Sequence, residues 1–213
     1  MQPSSKQVQE VIALIKVFEP SFSIKYKNSS FLMKVLSKIL FFNKKFMTET
    51  VTTIGKTVYL PDEKYLQKYG NLNYVEMLVH EARHIMDSKR LGIAYYLLYL
   101  SPQIFSLLSV FSFFNSWFLL CLLFLLPLPS PGRAYIELRA YLSGLAVLYH
   151  LSNKIFLVNP IVCLKYFTGP DYYYMFPFQS IVVNSLCNGM QKIMEDDVDG
   201  FLKQIKNILS KKD

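Results

Sequence analysis

The feature that most constrains this chain is the stretch from Leu91 to Gly132, 42 residues without a single charged side chain. Three apolar runs, at residues 93–100, 104–114 and 117–126, are separated by Ser101-Pro102-Gln103 and by Asn115-Ser116. A helix that spans a bilayer needs about 20 apolar residues. The stretch is therefore long enough for one span, or for a hairpin of two shorter arms that turns near Phe113–Ser116.

The overall composition also favours an apolar environment for part of the chain. Hydrophobic residues make up 52% of the chain and charged residues 18%, whereas about a quarter of the residues in soluble domains are charged. This balance favours contact with a bilayer or with a large apolar protein partner. The net charge of +8 is concentrated in residues 1–70, which hold eleven lysines and five acids.

A basic surface of this kind suits anionic lipid or nucleic acid, and a solvated lysine-rich surface is the alternative. The aromatic and arginine pattern of nucleic-acid-binding modules does not accompany the lysines, so nucleic acid is not favoured. The apolar segment near the N-terminus contains Glu10 and Lys16, which is not typical of a signal peptide. Three separated cysteines without a CxxC pair indicate buried free thiols in a reducing compartment. We therefore expect a protein on the cytosolic side, associated with a membrane or built into a large particle.

Hydrophobic periodicity predicts several helices and one strand. The helices are expected at residues 8–17, 31–42, 73–90, 133–151 and 198–209, and the strand at residues 50–60. Asn71 or Asn73 is expected to cap the third helix, and Leu91-Gly92 to end it. Acidic residues around Asp199 are expected to cap the last helix. These elements together predict an α+β fold that is mainly helical.

The third predicted helix carries the sequence His80-Glu81-Ala82-Arg83-His84. Two histidines four residues apart on a helix project from the same face, so both imidazoles can reach one metal ion. The glutamate after the first histidine then lies beside a metal-bound water, where its carboxylate can accept a proton. An exposed helix with fortuitous spacing is the alternative. The apolar residues on both sides of the motif argue against it, because buried polar groups need partners.

A third ligand must come from elsewhere in the chain, and Glu137 is the stronger candidate. It is an isolated carboxylate in the apolar helix predicted at residues 133–151, and a carboxylate in such a setting requires a partner. A metal ion supplies one; the alternative is an ion pair with Arg133 or Arg139. His150 is a second possible ligand, although a lone histidine on an apolar helix is more often a core residue.

A strand, an HExxH helix and a later helix that supplies a glutamate resemble the gluzincin clan of zinc metallopeptidases. The segment Glu137–Tyr141 is similar to the ExxA(D) segment of the membrane-embedded prenyl-protein and stress-response proteases of that clan, which also carry hydrophobic segments before the glutamate. The resemblance covers residues 50–145. It implies a zinc ion held by His80, His84 and Glu137, with Glu81 as the catalytic base. Tyr141 stands where those families usually have an aspartate that orients a ligand histidine.

The resemblance also implies roles for residues around the metal. The strand at residues 50–60 is expected to edge the cleft and to pair with extended substrate. Asp87 either accepts the free N–H of a ligand histidine or pairs with Lys89 or Arg90. For stabilising an oxyanion, the candidates are Tyr141, Arg133 and the run Tyr172–Tyr174.

The sequence thus predicts a zincin-like domain formed by residues 1–90 and 133–213, with a hydrophobic helical hairpin at 91–132. Because His84 and Glu137 must meet at one metal, both ends of the hairpin are expected on the same side. The predicted function is a membrane-associated zinc peptidase that acts on polypeptides and contacts a membrane or an apolar protein through residues 91–129. The alternatives are a non-catalytic structural or interaction protein of a larger assembly that retains the site, and a basic membrane or nucleic-acid binder.

Overall fold

The computed structural model of the protein describes residues 3–40, 43–126, 128–152, 159–169 and 174–211. The fold is α+β and mainly helical, as the sequence predicts. Its helices are α1 (Ser5–Phe18), α2 (Phe31–Ile39), α3 (Tyr65–Leu91), α4 (Ile93–Leu100), α5 (Pro131–Ser152), α6 (Leu164–Thr168), α7 (Gln179–Met194) and α8 (Gly200–Ser210). The strands are β1 (Ser23–Tyr26), β2 (Thr52–Ile54) and β3 (Thr57–Leu60), and 3₁₀ segments cover Gln103–Phe113, Ser116–Leu125 and Pro160–Cys163.

The three strands form one small sheet in the order β1-β3-β2. β3 is parallel to β1 and antiparallel to β2. The single strand predicted at residues 50–60 is therefore a hairpin of two strands. Gly55 causes the break, since its φ of 60° lies in the left-handed region that tight two-residue turns require. β2 lies at the edge of the sheet, and the sequence analysis did not predict the four-residue strand β1.

Helix α3 carries the HExxH motif and is longer than predicted. Gly70, with φ 74° and ψ 168°, divides it into a short first part and a long second part. Neither predicted cap forms, because the side chain of Asn71 donates to the carbonyl of Pro3 and that of Asn73 donates to the carbonyl of Tyr69. The helix ends at Gly92, as predicted, where φ is 57°.

Helices α3 and α5 pack against each other in the middle of the core, and β1, β3, α1, α7 and α8 surround them. The buried aliphatic residues of α3 are Val75, Leu78, Val79, Ala82 and Ile85. Each large aliphatic side chain among them stabilises the fold by about 2 kcal/mol relative to exposure. The motif helix is therefore a core element, with its polar residues held among apolar neighbours.

The uncharged stretch begins with α4 and then bends by 89° into the first long 3₁₀ segment. The two long 3₁₀ segments lie side by side, with ring centroids of Phe105 and Phe124 5.5 Å apart and those of Phe111 and Phe118 5.8 Å apart. The chain reverses near Asn115, at the expected turn. The arms are 3₁₀ rather than α-helical, a difference that apolar composition alone does not predict.

The side chains of these two arms are unusually exposed. Neither segment, both described in full, buries any side chain, and Phe113 and Trp117 expose 92% and 73% of their surface. Among the described helices, none alone is long and apolar enough to cross a bilayer; α4 and the first arm reach that length only together, across their bend.

The three cysteines are free thiols, as predicted. Cys163 is buried, but Cys121 is partly exposed and Cys187 is exposed, so the prediction that all three are buried is wrong. Cys187 lies on α7, an amphipathic helix that turns this position away from the core.

Candidate metal centre

His80 and His84 lie one turn apart on α3 and face the same point. Their Nε2 atoms are 3.2 Å apart, and the rings meet edge to face at a centroid distance of 4.9 Å. This arrangement follows directly from the four-residue spacing on a helix. Both imidazoles can therefore present a nitrogen to one ion.

Glu137 comes from α5 and completes the cluster. Its side chain is 2% exposed, and its Oε2 atom lies 3.6 Å from the Nε2 atom of His80 and of His84. The ligand atoms of the three residues all lie within 4.8 Å of one another. The alternative of an ion pair between Glu137 and Arg133 or Arg139 does not occur; these two arginines bind Tyr99 and Asp87.

The two oxygens of Glu137 have different surroundings. Oε1 accepts a hydrogen bond of 2.7 Å from the hydroxyl of Tyr99. Oε2 is buried and has no hydrogen-bond partner among the described residues. A buried charged oxygen is costly without a compensating group, and a cation between Oε2 and the two imidazoles would provide one. The three residues therefore form a possible metal-binding triad.

The charges of the triad are strongly coupled. Burial alone raises the pKa of Glu137, yet the electrostatic fields of the nearby His84 and His80 imidazoles hold it well below the usual value. Burial lowers the pKa of His84, but Glu137 and, more weakly, Glu81 and Asp87 raise it to about 9. The negative field that favours a proton on His84 also favours a metal cation, which competes with protons for the same nitrogen atoms.

Glu81 is held in place by the edge strand of the sheet. Its Oε2 atom accepts a hydrogen bond of 2.6 Å from the Thr53 hydroxyl of β2. A cleft of about 230 Å³ is lined by Thr53 and Ile54 of β2, by Gly55 of the turn, by His84 and by tyrosines of α4. Through His84, the triad therefore borders a concave space that β2 and α4 also line.

Asp87 makes neither of the contacts expected from the sequence. It accepts no hydrogen bond from a ligand histidine, and it does not pair with Lys89 or Arg90. Instead it accepts two hydrogen bonds from Arg139, at 2.9 and 3.0 Å. Asp87 lies on the face of α3 that packs against α5, and the flat guanidinium group matches both carboxylate oxygens at once.

Arg133 and Tyr141 flank the triad without forming part of it. Arg133 donates to the backbone carbonyl of Tyr99 at 2.8 Å, and its guanidinium lies 5.3 Å from the centroid of that ring. The ring of Tyr141 meets His80 edge to face at 4.7 Å and stacks on Tyr166 at 5.3 Å. Tyr174 is exposed; Tyr172 and Tyr173 lie outside the described residues.

His150, the other possible ligand, lies near Lys206 and Asp196, away from the triad. Burial lowers the pKa of its imidazole. Among the described residues, the cluster able to hold a metal consists of His80, His84 and Glu137.

Sequence reasoning missed three hydroxyl groups at the site, those of Thr53, Tyr95 and Tyr99. The Tyr95 hydroxyl lies 3.3 Å from Nδ1 of His84. A signal was available, because Tyr95 and Tyr99 are spaced four residues apart, like the histidines, within an otherwise apolar run. Their neutral side chains gave no reason to assign them to a polar site.

Comparison of the chain with protein-family models, with curated proteins and with solved structures found no match. The geometry and chemistry of the triad and its neighbours are therefore the observations that bear on function.

Proposed function

We propose that this protein is a zinc-dependent peptidase of the gluzincin type, in which His80, His84 and Glu137 hold the metal. The observation that carries the proposal is the buried Oε2 atom of Glu137, which accepts no hydrogen bond from the described residues and faces two imidazole nitrogens at 3.6 Å. Two histidines and one glutamate form the ligand set of several catalytic zinc sites, which keep a further position for water or substrate.

The mechanism follows from the groups beside the triad. Bound zinc acidifies water and polarises a carbonyl oxygen. Glu81 accepts the proton of the attacking water and passes it to the departing amine. Thr53 supports this role, because its hydrogen bond orients the carboxylate and leaves Oε1 of Glu81 available for the water. A metal site with a purely structural role has no need of such a base.

The position of β2 beside the cleft is consistent with substrate binding as in zincins. β2 is an edge strand and its residues line the cleft beside His84. An extended peptide can add to such an edge through main-chain hydrogen bonds. We therefore propose that polypeptide substrate lies along β2, with its scissile carbonyl close to the triad.

The proposal includes association with a membrane through the two 3₁₀ arms as an inserted hydrophobic hairpin. Support comes from arms that bury no side chains and carry no charge. A protein–protein interface normally has a polar rim, whereas lipid chains require apolar groups throughout. The lysines of residues 1–70 suit anionic headgroups on the cytosolic face. A non-catalytic component of a large assembly is the second candidate, because an apolar protein neighbour would also cover this exposed surface.

The test compares wild type with Glu81→Gln in a library of proteome-derived peptides, with products identified by mass spectrometry. Glutamine keeps the size of glutamate but cannot accept the proton. The variant should bind zinc as the wild type does and lose hydrolysis by about 10²–10⁴-fold. His80→Ala serves as the metal-deficient control. Equal cleavage by Glu81→Gln and wild type, or no cleavage by zinc-loaded wild type, would contradict the enzyme and favour the assembly component.

A further inference from the structure

Helix α4 directs two hydroxyl groups at the triad. Tyr95 and Tyr99 are four residues apart, so they project from one face of the helix. The Tyr95 hydroxyl lies 3.3 Å from Nδ1 of His84, and the Tyr99 hydroxyl donates to Oε1 of Glu137 at 2.7 Å. The two rings stack on each other with a centroid distance of 5.8 Å and an interplanar angle of 12°.

We infer that Tyr95 and Tyr99 are positioning residues that fix two of the three metal ligands, which makes α4 part of the metal centre. The inference rests on the proposed metal site. It adds residues that neither the HExxH motif nor the glutamate helix supplies, and they belong to the uncharged stretch.

The Tyr99 hydrogen bond determines which oxygen of Glu137 is offered to the metal. Because Oε1 accepts from Tyr99, the carboxylate cannot rotate freely, and Oε2 points to the imidazoles. A donor on the outer oxygen of a ligating carboxylate holds it in place for one-oxygen binding.

The Tyr95 contact determines the tautomer of His84. A metal ligand must present the lone pair of Nε2, so the ring proton then resides on Nδ1. Nδ1 donates that proton to the Tyr95 hydroxyl oxygen. Carboxylates often accept this hydrogen bond in metal sites, but here Asp87 is occupied by Arg139.

Helix α4 is anchored closely enough to α5 to support this role. Gly132, at the start of α5, approaches α4 so closely that an added Cβ atom would lie 2.7 Å from the carbonyl oxygen of Leu98. Arg133 donates to the carbonyl of Tyr99 and lies over its ring. The tyrosines are thus fixed by the same helix that supplies Glu137.

The experiment uses Tyr95→Phe and Tyr99→Phe, each of which removes one oxygen and keeps the ring. Tyr96→Phe is the matched control, since Tyr96 lies on the same helix, is 47% exposed and contacts Tyr95 edge to face. Zinc affinity is measured by competition with a chelator. We expect Kd to rise about 10- to 100-fold in Tyr95→Phe and Tyr99→Phe, and to stay at the wild-type value in Tyr96→Phe.

The visible absorption spectrum of the cobalt-substituted proteins separates ligand positioning from general stability. Misplaced ligands change the cobalt bands, whereas a merely structural loss lowers the melting temperature of the metal-free protein and leaves the bands unchanged. Wild-type Kd and wild-type bands in both variants would overturn the inference, and such a result in one variant would remove that tyrosine from it. Failure of wild type to bind zinc would instead contradict the proposed function.

Discussion

Lys27, which directly follows β1, is a fully buried cation. Its Nζ atom donates to the carbonyl of Phe46 at 2.6 Å and to the hydroxyl of Thr50 at 3.2 Å, and lies 3.9 Å from the centroid of the Phe46 ring. Burial lowers the pKa of the ammonium group from 10.5 to about 8, although the negative charge of Glu81 opposes the shift. The native state therefore bears the cost of keeping this lysine charged at neutral pH.

This shift predicts how the free energy of unfolding depends on pH. Between pH 8 and 10.5 the unfolded chain holds the Lys27 proton while the folded chain has released it, so stability rises with pH. The gain amounts to about 3 kcal/mol over the window. Urea unfolding of metal-free wild type and Lys27→Met across this range isolates the effect, since other groups titrate equally in both proteins. Parallel pH profiles for the two proteins would show that the lysine titrates normally.

At the residue scale, the sequence predicted all three members of the triad and missed the neutral hydroxyl groups beside them. Glu137 was identifiable because an isolated carboxylate in an apolar helix requires a partner. For Tyr99 the only signal was its spacing from Tyr95, and Thr53 gave none, because a hydroxyl group finds hydrogen-bond partners in many settings. The partner of Asp87 depends on how α3 and α5 pack against each other, and no local sequence pattern predicts this packing.

Helices α3 and α5 are tied together by ion pairs close to the triad. The pair between Asp87 and Arg139 lies three residues beyond His84 on one helix and two beyond Glu137 on the other. Arg83 adds a second tie, donating to Ser143 of α5 at 2.9 Å and pairing with Asp199 at 2.6 Å. These contacts set the distance across which the ligands meet.

Breaking the ion pair between Asp87 and Arg139 should destabilise the fold, because Asp87 is buried and would keep its charge without a partner. Arg139→Met in metal-free protein should lower the free energy of unfolding by about 2–4 kcal/mol. The control is Lys206→Met, which breaks the exposed pair with Asp196 and should cost less than about 1 kcal/mol. Urea unfolding measures both. Equal effects of the two substitutions would mean that the buried pair does not tie the helices.

At the element scale, periodicity predicted α1, α2, α5 and α8, and Asp199 caps α8 as expected. The amphipathic helix α7 was not predicted; the other elements that the sequence analysis misjudged depend on short-range or absent signals. Gly55 turns one apparent strand into a hairpin, and four-residue β1 is too short for a pattern to emerge. In the arms, uniformly apolar sequence does not distinguish a 3₁₀ from an α-helix.

Across the whole molecule, apolar surface and positive charge are both unevenly distributed. Besides the arms, α2 exposes Phe31 and Ile39 next to Lys34 and Lys38. The amino-acid composition identified the uncharged stretch, from Leu91 onward, as a single segment. In the structure its first part, α4, contacts the triad through Tyr95 and Tyr99. This contact depends on how α4 packs in the fold, so the sequence alone does not predict it.

Trp117 is the only tryptophan in the chain and lies exposed on the second arm, so its fluorescence reports on the arms alone. Vesicles of phosphatidylcholine and phosphatidylglycerol should shift its emission to shorter wavelength, and brominated lipid chains should quench it. High salt should not reverse the shift, because apolar insertion is not screened. Phe113→Asp places a charge on the exposed arm and should abolish the response. Unchanged emission of wild type would exclude insertion and favour a protein partner.

The central claim is that His80, His84 and Glu137 hold one zinc ion, and a crystal structure of the zinc-loaded protein tests it most directly. Anomalous scattering at the zinc edge should reveal one ion per chain. The ion should lie about 2.0–2.1 Å from Nε2 of both histidines and about 2.0–2.2 Å from Oε2 of Glu137, with a water as a further ligand. Zinc bound elsewhere, or a Glu137 carboxylate that points away from both imidazoles, would contradict the account.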